Sequence, residues 1–262
     1  MNRLKPKKFL GQHFLMDQNI ARKIAGSLSG YGDYRDVLEI GPGTGALTRF
    51  LAAENTRKLT VIEKDPDALD RLREIPEAGT ICILEGDVLK LSFRDLFSRQ
   101  VAVIGNLPYN ISSPVFFMVM QFRDLIPEAV FMIQKEVAQR IASNAGNKEY
   151  GILSVLLQAH YRVELLFKVP PSVFYPPPRV DSAVLRLQRK PDFVLACDEK
   201  LFVRLVKQGF QNRRKTLRNA LKPINLPVEL ANDPLLAKRA EQLSVQDYVD
   251  LTLRLEHLWS RM

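Results

Sequence analysis

Residues 37–47 read VLEIGPGTGAL, an apolar run that leads directly into three alternate glycines. The run, the glycine turn and a helical pattern through Leu47 and Leu51 predict a strand, a tight turn and a helix. Glycines let the backbone approach a ligand at the carboxyl end of a strand, where open parallel sheets bind cofactors. The stretch therefore predicts the first strand and the cofactor turn of an α/β fold.

Strand and helix patterns alternate on both sides of this turn. Asp17 is the expected N-cap of a preceding helix. Apolar runs predict further strands at 59–62, 81–84, 101–104 and 129–133, and helical patterns follow at 67–74, 113–122 and 135–143. Residues 152–168 and 182–187 are expected to supply the last strands. The alternation predicts a parallel, Rossmann-like sheet.

The strand signal fades after Arg189, and the rest of the chain predicts helices at 199–221 and near 245–259. Ser244 and Asp247 form a capping box for the final helix. We therefore expect two domains: a cofactor-binding domain at 1–190 that begins with a basic arm, and a small all-helical domain at 191–262.

The formal net charge of +9 is concentrated in two segments. Residues 1–16 contain Arg3, Lys5, Lys7 and Lys8 and no acidic residue, while 198–222 contain eight basic residues against two acidic ones. Such clustering favours a nucleic-acid partner, with a solvated basic helix as the alternative.

Other bulk features exclude several classes of protein. The chain has 262 residues, of which 46% are hydrophobic, so we expect a folded globular protein. No apolar run approaches the roughly 18 residues of a membrane span, and the N-terminus does not resemble a secretory signal. Cys82 and Cys197 are far apart in sequence and suggest neither a disulfide nor a metal site. We therefore expect a cytoplasmic protein without a metal.

The glycine turn alone leaves the cofactor undecided. Gly41, Gly43 and Ala46 also match the dinucleotide pattern G-x-G-x-x-A, and Glu63 follows at the distance of a ribose-binding acid. A nicotinamide oxidoreductase and a purely structural turn both stay open at this step. Glu63 and Asp87 each end a predicted strand, so both are expected at the carboxyl edge of the sheet with the turn.

The segment NLPY at 106–109 also follows a strand and should face the same crevice. The residue types of this segment suit the activation of an adenine amine. Such an amine is a weak nucleophile because its lone pair is delocalised into the ring. Two acceptors, the Asn106 side-chain oxygen and the Pro108 carbonyl, could take its two N–H bonds, while Tyr109 stacks on the base. The alternative is a proline turn with a packed tyrosine.

Four motifs in this order resemble the ribosomal RNA adenine N6-dimethyltransferases, and among them the bacterial small-subunit enzymes. They are GQHFL at 11–15, LEIGPGTG at 38–45, NLPYNIS at 106–112 and FYPPPRVDS at 174–182. The resemblance implies a class I methyltransferase sheet and S-adenosylmethionine as cofactor. It places the cofactor's methionine against His13, Leu15 and Gly41, its ribose on Glu63 and its adenine on Asp87. The position of His13 is often Asn in this family.

For the substrate, the resemblance implies two adjacent adenosines in the 3′-terminal hairpin loop of small-subunit (16S) ribosomal RNA, modified during ribosome biogenesis. Asn106 would contact both cofactor and base, and Phe174 would form the second aromatic face. The helical domain would grip RNA through Arg213, Arg214, Lys215 and Arg218, together with the basic arm. The expected partner is small-subunit RNA or a pre-30S particle, and we expect a monomer.

Two further interpretations share these motifs. A resistance-type methyltransferase acts on one adenine of large-subunit ribosomal RNA, but Asp181-Ser182 and the basic cluster at 213–218 favour the small-subunit class. A noncatalytic ribosome-assembly or nucleic-acid-binding protein can have the same fold. The intact Asn106, Pro108 and Tyr109 favour catalysis.

Overall fold

The structure is a computed structural model that describes residues 4–54 and 56–260, with the side chains of Lys8, Glu77 and Ala78 left aside. Its strands are β1 (Phe14–Leu15), β2 (Asp36–Ile40), β3 (Lys58–Glu63), β4 (Ile81–Glu85), β5 (Val101–Asn106), β6 (Glu128–Gln134), β7 (Tyr161–Val169), β8 (Phe174–Tyr175) and β9 (Ser182–Arg189). Its helices are α1 (Gln18–Ala25), α2 (Thr48–Ala53), α3 (Pro66–Arg73), α4 (Phe93–Leu96), α5 (Ser112–Gln121), α6 (Lys135–Ala142), α7 (Ile152–His160), α8 (Glu199–Gln211), α9 (Leu217–Ala220) and α10 (Val245–Trp259).

Seven strands form one sheet in the order β4-β3-β2-β5-β6-β9-β7. The five strands from β4 to β6 are parallel to their neighbours, and β9 is antiparallel to β6. The chain passes from β2 outward to β3 and β4 and then returns to the other side of β2 with β5. Ligands bind outside the carboxyl ends of the strands at such a reversal. The predicted parallel sheet is confirmed, and its reversal point marks the expected site.

Helices pack their apolar faces on this sheet. The core of the first unit joins Ile24 of α1, Leu51 of α2, Val61 of β3 and Ile104 of β5, all buried. Helix α1 begins as predicted, because the Asp17 carboxylate accepts hydrogen bonds from two first-turn amides. The predicted strands at 37–40, 59–62, 81–84, 101–104, 129–133 and 182–187 are confirmed within β2 to β6 and β9.

Two predictions of local structure were wrong in part. Residues 152–160 form helix α7, and only the following residues form the expected strand. The Gly151 N–H donates to the Ser154 hydroxyl at 2.9 Å, a first-turn contact that begins this helix. The predicted helix at 199–221 is interrupted after α8, because Thr216 forms a β-bridge with Arg239 and the chain turns to reach it.

The chain divides into two compact units, Met1–Ala138 with Val163–Arg189 and Gln139–Arg162 with Lys190–Met262. The second unit therefore includes residues 139–162, which the sequence analysis placed in the first domain. Helix α7 belongs there because it packs against α8 and α10. Tyr150, Phe210 and Tyr248 form the aromatic centre of this unit, with neighbouring ring centroids 6.3 and 6.4 Å apart. None of the described helices is long and apolar enough to cross a membrane.

Gly105 permits a close approach of two central strands beside the site. A Cβ added at this position would lie 2.6 Å from the Ile40 carbonyl oxygen of β2, a distance that backbone atoms cannot tolerate. Only glycine therefore lets β5 lie against the end of β2 in this geometry.

We expect Gly105→Ala to lower the free energy of unfolding by about 2 kcal/mol, because the strands must shift to admit the methyl group. Urea denaturation measures the change. Gly86→Ala is the control, since its added Cβ would meet its nearest neighbour at an ordinary 3.9 Å. Equal stability of the two variants would show that the strands adjust without strain.

Candidate active site

A cavity of about 290 Å³ lies at the carboxyl edge of the sheet, within the first unit. Residues from the ends of β2, β3, β4 and β5 line it, together with the segment around β1 and Phe174 of β8. All the cofactor and catalytic residues predicted from sequence meet there: His13, Leu15, Gly41, Gly43, Glu63, Asp87, Asn106, Pro108, Tyr109 and Phe174.

The glycine turn leaves space for a ligand and also packs closely on its other side. Gly41 has a φ of +64°, and a Cβ added to it would meet no atom within 4 Å, so the turn is open at this point. Gly43 has a φ of +55°, and a Cβ there would lie 3.1 Å from the Phe14 ring. The backbone conformation therefore favours glycine at both positions, and at Gly43 close packing favours it as well.

Glu63 holds the turn and the end of β3 together. Its carboxylate accepts backbone N–H bonds from Gly43 at 3.1 Å, Lys64 at 2.8 Å and Asp65 at 2.9 Å. Burial raises the pKa of the Glu63 carboxyl, while these three N–H groups oppose the rise. A carboxylate has about four acceptor positions. Glu63 can therefore accept a further bond from a ligand hydroxyl.

Asp87 presents a second carboxylate at the end of β4. It accepts the Leu89 N–H at 3.1 Å and lies 3.1 Å from the Lys64 ammonium. Partial burial alone would raise the pKa of the Asp87 carboxyl, but the hydrogen bonds from Lys64 and Leu89 bring it below its usual value. Asp87 is thus an ionised acceptor beside the cavity.

Asp65 fastens the described part of the basic arm, residues 4–16, at this edge of the sheet. This buried carboxylate, which also caps α3, accepts hydrogen bonds from the Lys7 ammonium at 2.5 Å and the Gln12 amide at 2.7 Å. Burial alone would raise the pKa of Asp65, but the bonds from Lys7 and Gln12 lower it. The arm is therefore held by charge as well as by the β1–β8 pairing.

Asn106 is oriented by the arm. Its side-chain nitrogen donates to the His13 carbonyl oxygen at 3.0 Å, so the amide oxygen is left as an acceptor on the other side of the group. The His13 ring is fixed in turn, because its Nδ1 donates to the Pro176 carbonyl oxygen at 2.7 Å. That bond assigns the proton to Nδ1.

The loop after Asn106 supplies an acceptor and an aromatic ring. The Pro108 carbonyl oxygen already accepts the Ile111 N–H at 3.1 Å and, at 3.4 Å, the Ser112 hydroxyl. Tyr109 is half-buried, and burial raises the pKa of its phenol, so the ring stays neutral. Phe174 is 5% exposed and pairs with Leu15 across the β1–β8 ribbon. Two aromatic side chains therefore line the cavity that Asn106 faces.

Glu39 was not predicted from the sequence as a site residue. It lies in the cavity wall at 1% exposure, and its Oε2 has no hydrogen-bond partner among the described residues. Burial raises the pKa of this carboxyl to about 8; the Thr48 hydroxyl opposes the rise and the Glu63 carboxylate adds to it. The signal in the sequence was the acid within VLEIG, because Glu39 is flanked by apolar residues of a buried strand.

This set of groups fits S-adenosylmethionine. The open Gly41 turn gives room for a ligand, Glu63 can accept from ribose hydroxyls, and Asp87 can accept from an adenine amine. The buried, unpartnered oxygen of Glu39 suits a cationic ligand, since burying a carboxylate without a partner is costly. Apolar side chains of Ile62, Val88 and Leu107 complete the wall.

The predicted RNA-binding residues have different surroundings. Arg214, Lys215 and Arg218 are exposed and form no ion pair with the described residues. Arg213, however, donates to the Lys148 and Tyr150 carbonyl oxygens at 2.7 and 2.8 Å and so fastens a loop of the second unit.

In the basic arm, Lys5 is exposed, whereas Lys7 is paired with Asp65 and Asp67. Arg3 and the side chain of Lys8 lie outside what the structure describes. Among the described residues, fewer unpaired cationic side chains are therefore left to bind RNA than the sequence suggested.

Comparisons with known proteins show the family of this chain. A family model described as Ribosomal RNA adenine dimethylase matches residues 3–256. Proteins named Ribosomal RNA small subunit methyltransferase A are similar over almost the whole chain. That of Cytophaga hutchinsonii is 50% identical over 252 residues, covering 96% of this chain and 98% of that protein. That of Flavobacterium johnsoniae is 49% identical over 259 residues, covering 98% of each.

Solved structures are similar as well. A dimethyladenosine transferase from Plasmodium falciparum has a TM-score of 0.78 at 26% identity, covering 94% of this chain and 98% of that one. The 23S rRNA methyltransferase ErmE has a TM-score of 0.69 at 26% identity, covering 93% and 99%. The class I methyltransferase fold predicted from the motifs is confirmed.

We expect Glu39→Gln to remove a pH-dependent loss of stability. A folded-state pKa of about 8, above the ordinary 4.5, means that this carboxyl destabilises the fold as pH rises toward 8. Between about pH 5.5 and about pH 7.5 the wild type should lose about 1.4 kcal/mol per pH unit relative to Glu39→Gln. Unfolding by urea at each pH gives the difference. Glu85→Gln, which removes an exposed carboxyl, is the control variant. Parallel curves for Glu39→Gln and wild type would contradict the assignment.

We expect Arg213→Ala and Arg214→Ala to differ in effect, because the first should change stability and the second RNA binding. Arg213→Ala should lower the free energy of unfolding by about 1 to 2 kcal/mol, because it removes two hydrogen bonds to backbone carbonyls. Arg214→Ala should leave stability unchanged and reduce the salt dependence of RNA-hairpin binding by about one unit of slope. Fluorescence anisotropy at several salt concentrations measures the slope. If both variants changed only RNA affinity, the structural role of Arg213 would be excluded.

Proposed function

This chain belongs to the ribosomal RNA adenine dimethylase family, and from that premise we propose that it dimethylates the N6 amines of two adjacent adenosines in the 3′-terminal hairpin loop of small-subunit ribosomal RNA. The observation that carries the proposal is the meeting of Asn106, Tyr109 and Phe174 in the same cavity as the cofactor turn. An amide acceptor and two aromatic rings suit an extruded adenine, whose amine can donate to the acceptor while its ring stacks on the aromatic side chains.

The chain's own residues bind the cofactor in three parts. His13, Leu15 and Gly41 hold the methionine part, Glu63 accepts from the ribose hydroxyls, and Asp87 accepts from the adenine amine. Bound S-adenosylmethionine supplies an electrophilic methyl group. Residues 9–15 of the arm line the cavity and would shield a bound cofactor from water, which strengthens polar contacts.

Asn106 acts on the nucleophile. Its amide oxygen accepts an N–H bond from the target amine and draws the nitrogen toward tetrahedral geometry, so that its lone pair can attack the methyl carbon as the methyl–sulfur bond breaks. The methylated nitrogen is then strongly acidic and loses one N–H proton to water. Tyr109 and Phe174 stack on the base and hold its plane. The Pro108 carbonyl can join as the second acceptor only when the Ser112 hydroxyl turns away, because its other position is taken by the Ile111 N–H.

Basic residues of the C-terminal part of the chain position the RNA. Within the helical domain at 191–262, Arg214, Lys215 and Arg218 neutralise phosphates without reading sequence.

The substrate is small-subunit ribosomal RNA in a pre-30S particle, and the enzyme acts on it in the cytoplasm as a monomer. The small-subunit class is favoured over the ErmE class, since relatives at 49 and 50% identity carry the small-subunit name and ErmE is 26% identical.

The decisive experiment transfers labelled methyl groups from S-adenosylmethionine to small subunits that lack the modification, followed by nucleoside analysis of the RNA. We expect N6,N6-dimethyladenosine at two adjacent positions with wild type. Asn106→Ala should lower kcat by at least about a hundredfold, because the oriented acceptor is lost, while leaving RNA affinity unchanged.

Outcomes of this assay separate the alternatives. Methylation of large subunits alone would favour the ErmE class, and tight subunit binding without transfer would favour a noncatalytic assembly protein. Near-normal turnover of Asn106→Ala would refute its role at the amine. Phe117→Ala serves as the control, since this exposed side chain lies outside the cavity wall.

A further inference from the structure

The Tyr109 ring is fixed at its far end by a residue outside the NLPY segment. The Tyr109 and Ser182 hydroxyls share a hydrogen bond of 3.0 Å, and Ser182 is 1% exposed. On one side, the His13 ring lies 5.6 Å away between centroids, at an interplanar angle of 31°. The bond at the phenol end limits swinging of the ring about χ1, and the His13 contact limits its rotation about χ2.

Ser182 is itself rigidly held. It is the first residue of β9 and lies opposite Gln134 of β6 in the antiparallel register. The preceding residue, Asp181, accepts the Lys135 N–H on its carbonyl oxygen at 2.9 Å and pairs with the Lys135 ammonium at 2.7 Å. The serine hydroxyl is thus presented by a sheet strand whose start is fastened by a backbone bond and an ion pair.

We propose that Ser182 is a positioning residue that acts through the Tyr109 hydroxyl to hold the target adenine in line with the methyl group. The inference rests on the proposed function. Stacking fixes a base only as well as the stacking ring is fixed, and small misplacements of reacting groups cost large factors in rate. A phenylalanine at position 109 could stack but could not be anchored, which explains why a tyrosine and a buried serine occur as a pair.

A double-mutant cycle on kcat tests this link. Ser182→Ala and Tyr109→Phe each remove one hydroxyl of the pair, so each should lower kcat roughly tenfold and leave the cofactor Kd unchanged. The double variant should be no slower than either single variant, because both changes break the same bond. Multiplicative losses, or unchanged kcat in Ser182→Ala, would overturn the proposal.

A second readout does not depend on turnover. A hairpin RNA with 2-aminopurine at the target position should be markedly less fluorescent when bound to wild type than when bound to Ser182→Ala, since stacking on the anchored Tyr109 ring quenches the extruded base. Equal quenching would contradict the proposal even if wild type transferred no methyl group. Absence of transfer with intact, Ser182-dependent quenching would instead contradict only the proposed reaction.

Ser154→Ala is the matched control for the loss of a buried serine hydroxyl. Ser154 is 0% exposed and bonds Gly151 and Arg140 at the start of α7. This variant should lower thermal stability while keeping wild-type kcat and quenching. If it lowered kcat and quenching as much as Ser182→Ala, the effect of Ser182 would be general destabilisation and the proposal would fail.

Discussion

The site depends on one carboxylate, Glu63. Its bonds from the Gly43 and Asp65 amides join the glycine turn after β2 to the start of the helix after β3. Asp65, placed in this way, accepts from Lys7 and Gln12 and so fastens the N-terminal arm. Glu63 is thus the common anchor of two backbone segments that line the cavity. Under the proposed function, the same carboxylate would also accept from the ribose hydroxyls.

The positions of the site residues could be predicted from the sequence because each follows a strand. Gly41, Glu63, Asp87 and Asn106 lie at or just after the ends of four strands that proved parallel and adjacent. The carboxyl ends of such strands meet at one edge, so local patterns were enough to bring the residues together. Asp17 as a helix cap was predictable for a similar reason, since its partners are its own neighbours.

What the sequence could not show depends on distant partners. Glu39 reads as one polar residue in a strand, and only the fold makes its oxygen buried and unpartnered. Arg213 resembles Arg214 in sequence, yet its guanidinium is occupied by carbonyls of a loop more than 60 residues earlier in the chain. The apolar run at 152–160 is compatible with a strand or a helix. A segment that is buried on all sides has no apolar periodicity by which the two could be distinguished.

The hydrogen-bond pattern around Asn106 bears on how one site can methylate an amine twice. The first transfer removes one N–H, so the second nucleophile has a single N–H left to be drawn by an acceptor. The Pro108 carbonyl is engaged by Ile111 and Ser112, whereas the Asn106 oxygen is directed away from the bond that its nitrogen makes to His13. Under the proposed function, Asn106 is thus the acceptor that both transfers share. The orientation imposed by the arm serves the second transfer as fully as the first.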